Sequence, residues 1–518
     1  MPADVDVLVV GAGPTGLALA CALQSFDTRF RVVDKQLDRV HESRAMAVQA
    51  RTLEVLAALG VTDEMVKCGN RGVLLQMHSG RRVAAAQLFD IGIEDTAYPY
   101  ILFLSQAETE RIFEDHLAAR GQHVERGVEL IEMSTLADAV RCVLRHGDGH
   151  REEIFARHVV GCDGAHSTVR AQAGIPFVGR PYPQTFVLAD LDADGVEAGR
   201  VHAFLSAEGI LFLFPLGEPA PWRLLTMRPG TDRTPPGAPI ELVDVQAICD
   251  RYTDGRVRLR DPVWMTNFGL QLRGAAHYRA GPVFLAGDAA HIHSPAGAQG
   301  MNTGIQDAVN LAWKLAFGTG ELLDTYQAER APVGRRVLRL SDRAFQVATA
   351  SNPVLRFVRT RLVDRIFPLV LRIRPARAYG FRAVSELTIN YRNSRACLDG
   401  PGAPRRGPKA GDRLPDAPLS NDGTPTSLHA VTGAPGFHLL LSGPPPAWTH
   451  PAGVPRGVAV HRLDRRDAVA LRRLGLRPGQ VVHHLIRPDG YIGYRAAGTD
   501  LSGVREYLDR WVSLEGRP

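Results

Sequence analysis

The chain has 518 residues, 45% hydrophobic and 22% charged, with a formal net charge of +6; this length predicts about two to four globular domains with a sizeable core. No apolar run reaches the ~18 residues of a membrane helix. The basic residues are scattered, nearly all Arg, with Lys only at Lys35, Lys67, Lys314 and Lys409, so the concentrated patch that nucleic acid requires is missing.

Residues 1–4 carry neither a basic segment nor a long apolar one, which predicts a cytoplasmic protein. Val5–Val10 suits a buried parallel strand, Gly11-Ala12-Gly13-Pro14-Thr15-Gly16 is a glycine turn, and 17–23 reads as an amphipathic helix. Together they open a dinucleotide-binding βαβ unit. Gly11 would make the tight turn, Gly13 let the backbone approach a pyrophosphate, and Gly16 let the helix pack close to the strand. The phosphates would sit on the helix N-terminus at Pro14 and Thr15. A second apolar strand, 30–33, ends in Asp34, about twenty residues past the glycines, where a carboxylate accepts from a ribose hydroxyl. This context favours a bound dinucleotide over a ligand-free glycine turn and leaves NAD and FAD both open.

Residues 52–59 read as a helix stopped by Gly60, 73–104 as strands with a turn at Ser79-Gly80, and 106–119 as a helix ended by Gly121. Segments 139–145 and 152–155, joined by a turn at 146–149, predict a β-meander. Residues 157–170 predict a strand entering a helix through Asp163-Gly164. The stretch 186–227 is strand-like and aromatic, with Phe204, Phe212, Phe214 and Trp222, which suits a sheet facing an apolar ligand and equally a plain core. Residues 283–286 form another short strand closed by Gly287-Asp288. A helix follows over 301–317, with Ile305, Ala308, Leu311, Ala312 and Leu315 at helical spacing. Helices continue to 387, the Pro- and Gly-dense 400–418 marks a linker, and runs at 437–441 and 457–460 predict a small α/β domain. The six cysteines lie far apart with no CxxC, which predicts reduced thiols and no metal site.

Three motifs stand together: the Gly11, Gly13, Gly16 turn, Asp163-Gly164, and Gly287-Asp288-Ala289-Ala290-His291 with the loop and helix behind it. With them the chain resembles the single-component FAD-dependent aromatic hydroxylases (group A flavoprotein monooxygenases), the p-hydroxybenzoate hydroxylase-like family, up to about residue 390. It looks closest to the phenol, rifampicin and aromatic polyketide hydroxylases that carry a C-terminal thioredoxin-like domain. That domain's markers are similar to Gly411-Asp412-Arg413-Leu414-Pro415-Asp416 and to Leu485-Ile486-Arg487-Pro488-Asp489-Gly490-Tyr491. No cysteine follows Cys397, so dithiol chemistry is excluded from the tail and a role in assembly or stability is expected.

The resemblance implies an α/β architecture: a Rossmann-like FAD-binding GR2 fold from 1–175 and 276–395, a mixed-sheet α+β substrate domain over 176–275, and a thioredoxin-like domain over 400–518. FAD is the implied cofactor and NAD(P)H a transient co-substrate. A small aromatic molecule and O2 are the other partners, with no nucleic acid or membrane and a homodimer left open. Asp288 would bind the ribityl chain, since a carboxylate accepts from several hydroxyls; its alternative is a helix N-cap. Segment 294–302, with Gly300, Met301 and Asn302, would bring backbone N–H groups to the flavin N1–C2=O edge, the helix N-terminus stabilising the anionic reduced flavin. Pro295 would lie near flavin C4a. Lys35, Arg44, Gln106 and Leu130 resemble further FAD contacts, Leu130 through its backbone at adenine. Asp163 is tied in the family to FAD and to pyridine nucleotide, and Arg170 is a weaker match.

No second strand–GxGxxG–helix occurs, so no separate NAD(P)H domain is expected, which disfavours Baeyer–Villiger monooxygenases and disulfide reductases. No WxWxIP is present, which disfavours flavin halogenases. The implied reaction is reduction of FAD by NAD(P)H, addition of O2 at C4a to give a hydroperoxide, and attack of an electron-rich ring on its distal oxygen. A base or cation near the phenol would help, with His202, Arg223 and Tyr278 as unranked candidates. The weakly charged 186–227 stretch favours a bulky phenolic or polyketide substrate. The alternatives are a flavin oxidase or dehydrogenase without oxygen insertion, a hydroxylase of a small phenolic catabolite, and a non-catalytic FAD-binding protein.

Overall fold

The computed structural model describes residues 3–39, 45–80, 82–87, 92–206, 209–216, 220–229, 232, 234–294, 298–349, 373–421, 424–448 and 457–512. Three sheets organise the molecule. The first grows outward from Val5–Val10, which pairs in parallel with Arg151–Gly161 on one side and Phe30–Asp34 on the other. Val283–Leu285 and Glu125–Arg126 extend it at the two sides, also in parallel. Val7, Leu8, Val9, Val159 and Val160 are all buried, the unalternating apolar pattern of parallel strands covered on both faces. Residues 152–155 and 157–161, expected as separate pieces, are one strand. Its first half pairs antiparallel with Val140–Arg145 before its second half joins Val5–Val10.

The second sheet runs in the order His291–Ile292, Arg258–Ala275, Phe177–Asp194, Trp222–Met227, Ile210–Pro215, Arg200–Leu205, Leu74–Ser79, Arg82–Gln87. It is mixed, because Arg200–Leu205 lies parallel to Leu74–Ser79 among antiparallel neighbours. The expected division at 175/176 is therefore crossed: residues 74–87 complete the second sheet, since its edge strand needs a partner for its backbone groups. The helix Leu242–Thr253 covers one face, packing Val245, Ile248, Cys249 and Tyr252 on Val187, Ala189, Phe204, Leu211, Leu213 and Leu224. Side chains alternate along a strand, so Phe186, Asp190, Phe212, Phe214, Arg223, Trp264 and Phe268 share the opposite face, Trp264 opposite Asp190 and Phe268 opposite Phe186.

In the third sheet Phe437–Ser442 pairs in parallel with Val458–Leu463 and antiparallel with Val482–Ile486, which pairs antiparallel with Ile492–Ala497. The helix Ser502–Trp511 follows. This is the strand order of a thioredoxin-like fold. Leu398–Asp399 adds an edge strand parallel to Ile492–Ala497, so the sheet begins before the expected boundary at 400. The 400–418 stretch is also no free linker. Asp412, Arg413 and Asp416 are buried, and Arg413 reaches back to Glu54 at 2.8 Å and Asp95 at 2.6 Å. No helix among the described residues is long and apolar enough to cross a membrane.

Candidate active site

The three glycines of the first turn do different work. Gly11 has φ +101°, and a Cβ there would lie 2.5 Å from the Cys162 carbonyl oxygen; a Cβ on Gly16 would lie 1.9 Å from the Gly11 oxygen. Both positions are closed by protein. A Cβ on Gly13 meets nothing within 4 Å, so the backbone before the helix Pro14–Ser25 is open, and no side chain caps that helix. Open backbone at an uncapped helix N-terminus is what a pyrophosphate fits. Asp34, at the end of its strand, braces the turn: Oδ2 accepts from Ala12 N–H at 2.6 Å and Oδ1 from Gln36 N–H at 2.8 Å. Lys35 beside it is exposed.

The first glycine helix also locks onto the second cofactor motif. Gly287 sits at φ +62°, and a Cβ on it or on Gly304 would lie 2.4 Å from Thr15 Oγ1. Gly287 opens a short 3-10 turn, Gly287–Ala289, in which Asp288 is exposed while Ala289 and Ala290 are buried. The turn is held from below by Asp307, whose Oδ2 accepts from Gly287 N–H at 3.1 Å and pairs with His291 Nε2 at 2.7 Å. Arg330 donates to the other oxygen at 2.6 Å and to the Thr303 carbonyl at 3.0 Å. Burial alone would raise the Asp307 pKa, but Arg330 and His291 outweigh it and hold the carboxyl below its ordinary value.

Asp163 caps the helix Thr168–Gln172: Oδ2 accepts from Thr168 N–H at 2.7 Å and Val169 N–H at 3.2 Å, while Oδ1 is buried with no partner among the described residues. Burial pushes its pKa up against those hydrogen bonds. An orphaned buried acceptor beside a glycine turn fits a ligand hydroxyl. Arg170 ties this motif to the other, donating to the Ala289 carbonyl at 2.9 Å and the Ala165 carbonyl at 2.8 Å.

The helix Gly300–Phe317 begins without a side-chain cap. Asn302 is completely buried, donating to the Ala47 and Ala298 carbonyls at 2.8 Å and accepting from Gln49 N–H at 2.8 Å, so its side chain anchors the helix start. Gly300 and Met301 remain part-exposed. Ala298 takes φ +52°, a left-handed conformation that a non-glycine residue adopts at a cost. His293 Nε2 is enclosed and unpartnered among the described residues, and burial pulls its pKa down to about 4. Gln106 opens the helix Gln106–Ala118 with its N–H on the Ala45 carbonyl at 3.0 Å. Leu130 is buried in the strand Glu129–Thr135 opposite Leu144. Arg44 and Pro295 lie outside the described residues.

The three candidates for phenol activation fall in different places. Arg223 lies on the helix-free face of the second sheet, in a bidentate ion pair with Asp190 at 2.7 and 2.6 Å. His202 does not share that face: its strand turns it toward the helix side with Phe204, where it bonds His78 at 3.0 Å and the Glu197 carbonyl at 2.9 Å. Tyr278 is not on the sheet face either. It is 3% exposed, within the first domain's core and stacked beside His291, and burial pushes its phenol pKa up. Strand alternation for the histidine and core enclosure for the tyrosine take both away from a substrate bound on the helix-free face. Tyr182, packed with Phe186 and Phe268 of that face, donates to Asp342 at 2.9 Å, and Ser294 donates to the Ser341 carbonyl at 3.5 Å, so both reach one turn of the helix Gly320–Thr349.

Sequence reasoning missed Asp307, Arg330 and Asp190. One signal was available: Thr303, Asp307, Asn310 and Lys314 recur at helical spacing on the Gly300–Phe317 helix. A polar stripe normally reads as a solvent face, whereas here all four are at most 1% exposed.

Comparisons with known proteins agree with this architecture. The family model described as FAD binding domain matches residues 4–341, and that described as aromatic-ring hydroxylase, C-terminal, matches residues 407–514. The chain is 38% identical over 409 residues to 6-methylpretetramide 4-monooxygenase of Streptomyces rimosus, covering 76% of this chain and 72% of the relative. It is 33% identical over 539 residues to the 12-dehydrotetracycline 5-monooxygenase/anhydrotetracycline 6-monooxygenase of Streptomyces rimosus subsp. rimosus, covering 98% of each. Among solved structures, CabE, an aromatic hydroxylase from angucycline biosynthesis, superposes with a TM-score of 0.77 at 30% identity, over 98% of this chain and 99% of that one. A ternary complex of aklavinone-11 hydroxylase with FAD and aklavinone gives a TM-score of 0.80 at 25% identity, over 98% and 99%. The chain belongs to the FAD-dependent aromatic-ring hydroxylases, and so to the flavin-dependent monooxygenases.

Proposed function

We propose that this chain hydroxylates a bulky phenolic, polyketide-like substrate, with NAD(P)H as electron donor and O2 as oxygen donor. The observation that carries the reading is the helix-free sheet face, where Phe186, Phe212, Phe214, Trp264 and Phe268 share a surface with the Arg223–Asp190 pair, and where Tyr182 reaches the same turn of the Gly320–Thr349 helix as Ser294. Flat aromatic rings stack on such a surface. The similar monooxygenases named for 6-methylpretetramide and anhydrotetracycline support that substrate class.

FAD, when bound, supplies the two-electron reduction and the oxygen activation. The chain's own residues position it. The open backbone at Gly13, Pro14 and Thr15 would take the pyrophosphate, and Asp34 would shape that turn. Asp163 and Asp288 would accept from the cofactor's hydroxyls. The N–H groups of Gly300, Met301 and Asn302 would face the flavin's pyrimidine edge, where a helix N-terminus favours negative charge. Pro295 and Arg44 keep the roles the resemblance implies. The sheet face would order the ring beside the cofactor and keep water from it.

The test is NAD(P)H consumption by the FAD-loaded chain against a panel of phenols and polycyclic polyketides, with H2O2 and product mass followed together. Substrate-stimulated oxidation with a product heavier by one oxygen atom, labelled from isotopic dioxygen, is the expected result. Oxidation ending only in H2O2 across the panel would move the oxidase reading to first place.

A further inference from the structure

We propose that Glu386 binds a proton when the flavin is reduced and thereby tunes the flavin through the first turn of the Gly300–Phe317 helix. The inference rests on the reading that this helix N-terminus faces the flavin.

Glu386 lies two residues past the helix Arg374–Val384, is 2% exposed and takes φ +63°. A non-glycine residue adopts that conformation at a cost and keeps it where its surroundings over-determine it. Its Oε1 accepts from the Thr303 hydroxyl at 2.9 Å and its Oε2 from the Gln306 side-chain amide. Gln306 also donates to the Thr52 hydroxyl at 3.2 Å. Both partners of the carboxyl are neutral, and both stand on the helix that begins at Gly300.

The charged groups that face it are committed elsewhere. Arg330, from the helix Gly320–Thr349, pairs with Asp307 of the Gly300 helix at 2.6 Å. On the side of the helix Ala50–Ala57, Arg51 donates its N–H to the Ser385 carbonyl at 3.2 Å, but its guanidinium pairs with Glu54 at 2.9 Å. On its own segment Arg382 pairs with Asp95. No cation pairs with Glu386 among the described residues. A buried carboxylate held only by neutral dipoles is costly to ionise, and burial pushes its pKa up to about 7.

A reduced nicotinamide delivers two electrons and one proton, which leaves the flavin with one additional negative charge. A second proton, from solvent, converts the Glu386 carboxylate into the neutral acid, so the charge buried around the helix start is conserved. Glu386 touches the helix and not the reacting atoms, and is a positioning residue.

The experiment is the midpoint potential of the FAD-loaded full chain as a function of pH for wild type, Glu386→Gln and Glu386→Asp. Each proton taken up with two electrons contributes about 30 mV per pH unit. Wild type is expected to show a two-proton slope just above neutral pH, Glu386→Gln a one-proton slope throughout at equal FAD content, and Glu386→Asp a restored steep segment. Equal slopes in wild type and Glu386→Gln, both holding FAD, would overturn the proposal. Should the glutamine variant fail to fold, the wild-type infrared difference spectrum decides: a protonated carboxyl band gained on reduction supports the proposal and its absence overturns it. The underlying reading fails separately if Gly300→Trp, which puts a bulky side chain at the helix start, binds FAD as tightly as wild type with an unchanged flavin spectrum.

Discussion

Asp489, in the last hairpin of the C-terminal domain, accepts a hydrogen bond from the side-chain amide of Asn310 on the Gly300–Phe317 helix at 3.0 Å. This contact belongs to a buried ionic cluster in which Glu329 holds Lys314 at 2.8 Å and Arg487 at 2.8 Å, while Arg487 also pairs with Asp489 at 2.5 Å. Arg51 adds a bond to the Asp489 carbonyl at 2.7 Å. The thioredoxin-like domain thus grips the helix whose start would carry the flavin. Glu329→Gln leaves two buried cations with reduced counter-charge and is expected to cost about 3 kcal/mol, together with FAD retention. Thermal unfolding followed by flavin absorbance checks it, and an unshifted melting temperature would refute a stabilising role for the cluster.

Thr15 separates two glycines that look equivalent. Gly304→Ala is expected to destabilise by about 1–3 kcal/mol through overpacking and to be partly rescued by Thr15→Ala, which removes the hydroxyl 2.4 Å away but leaves the Gly287 Cα at 3.1 Å. Gly287→Ala is expected to stay defective in the Thr15→Ala background, because φ +62° costs a β-carbon about 1–2 kcal/mol with no clash at all. Denaturant unfolding of the single and double variants tests this; equal rescue of both would show that packing alone matters.

Arg223→Met strands the Asp190 carboxylate, 8% exposed, and is expected to lose about 3–5 kcal/mol. Replacing both partners by apolar residues is expected to recover much of that stability while raising KM for a phenolic substrate. His202→Gln, facing the helix side, is expected to leave kcat within about twofold and the pH profile of kcat/KM unmoved. A lost acidic limb in that profile would return His202 to the chemistry as a base.

Glu386 gives stability a pH dependence of definite sign. Its folded pKa is raised from 4.5 to about 7 by burial, so the folded chain binds the proton more tightly than the unfolded chain. The contribution is fully present below pH ~4.5 and lost as pH rises to ~7, for a fall on the order of 3 kcal/mol. Glu386→Gln is expected to remove that fall. Urea unfolding at pH 5 and pH 8 measures it; parallel losses in both chains would place the titration elsewhere.

Much of the first sheet was legible in the sequence because its signals are local. The apolar run at Val5–Val10, the glycine turn and the short run ending at Asp34 each need only near neighbours to form strand, turn and strand. The Gly287-Asp288 turn and the helix behind it are legible for the same reason. The course of residues 74–87 was not, because a strand's sheet is chosen by a partner far along the chain, here Arg200–Leu205. Nor was the 400–418 stretch, whose composition reads as linker until Glu54 and Asp95 are brought to Arg413.

By itself, then, the sequence determined the dinucleotide-binding unit, the order of its motifs and the resemblance to FAD-dependent aromatic hydroxylases, since these depend on backbone conformation and spacing within a few residues. Only the tertiary structure decided which side chains share a face or a charge. His202 and Arg223 lie on the two strands that flank Ile210–Pro215 in one sheet, yet strand alternation sends them to opposite sides. The Thr303, Asp307, Asn310 and Lys314 stripe would face water on an isolated helix, but two further elements bring Arg330, Glu329 and Asp489 against it. Polar groups are buried when distant partners satisfy them, and pairing over such separations is set by packing, which no local pattern records.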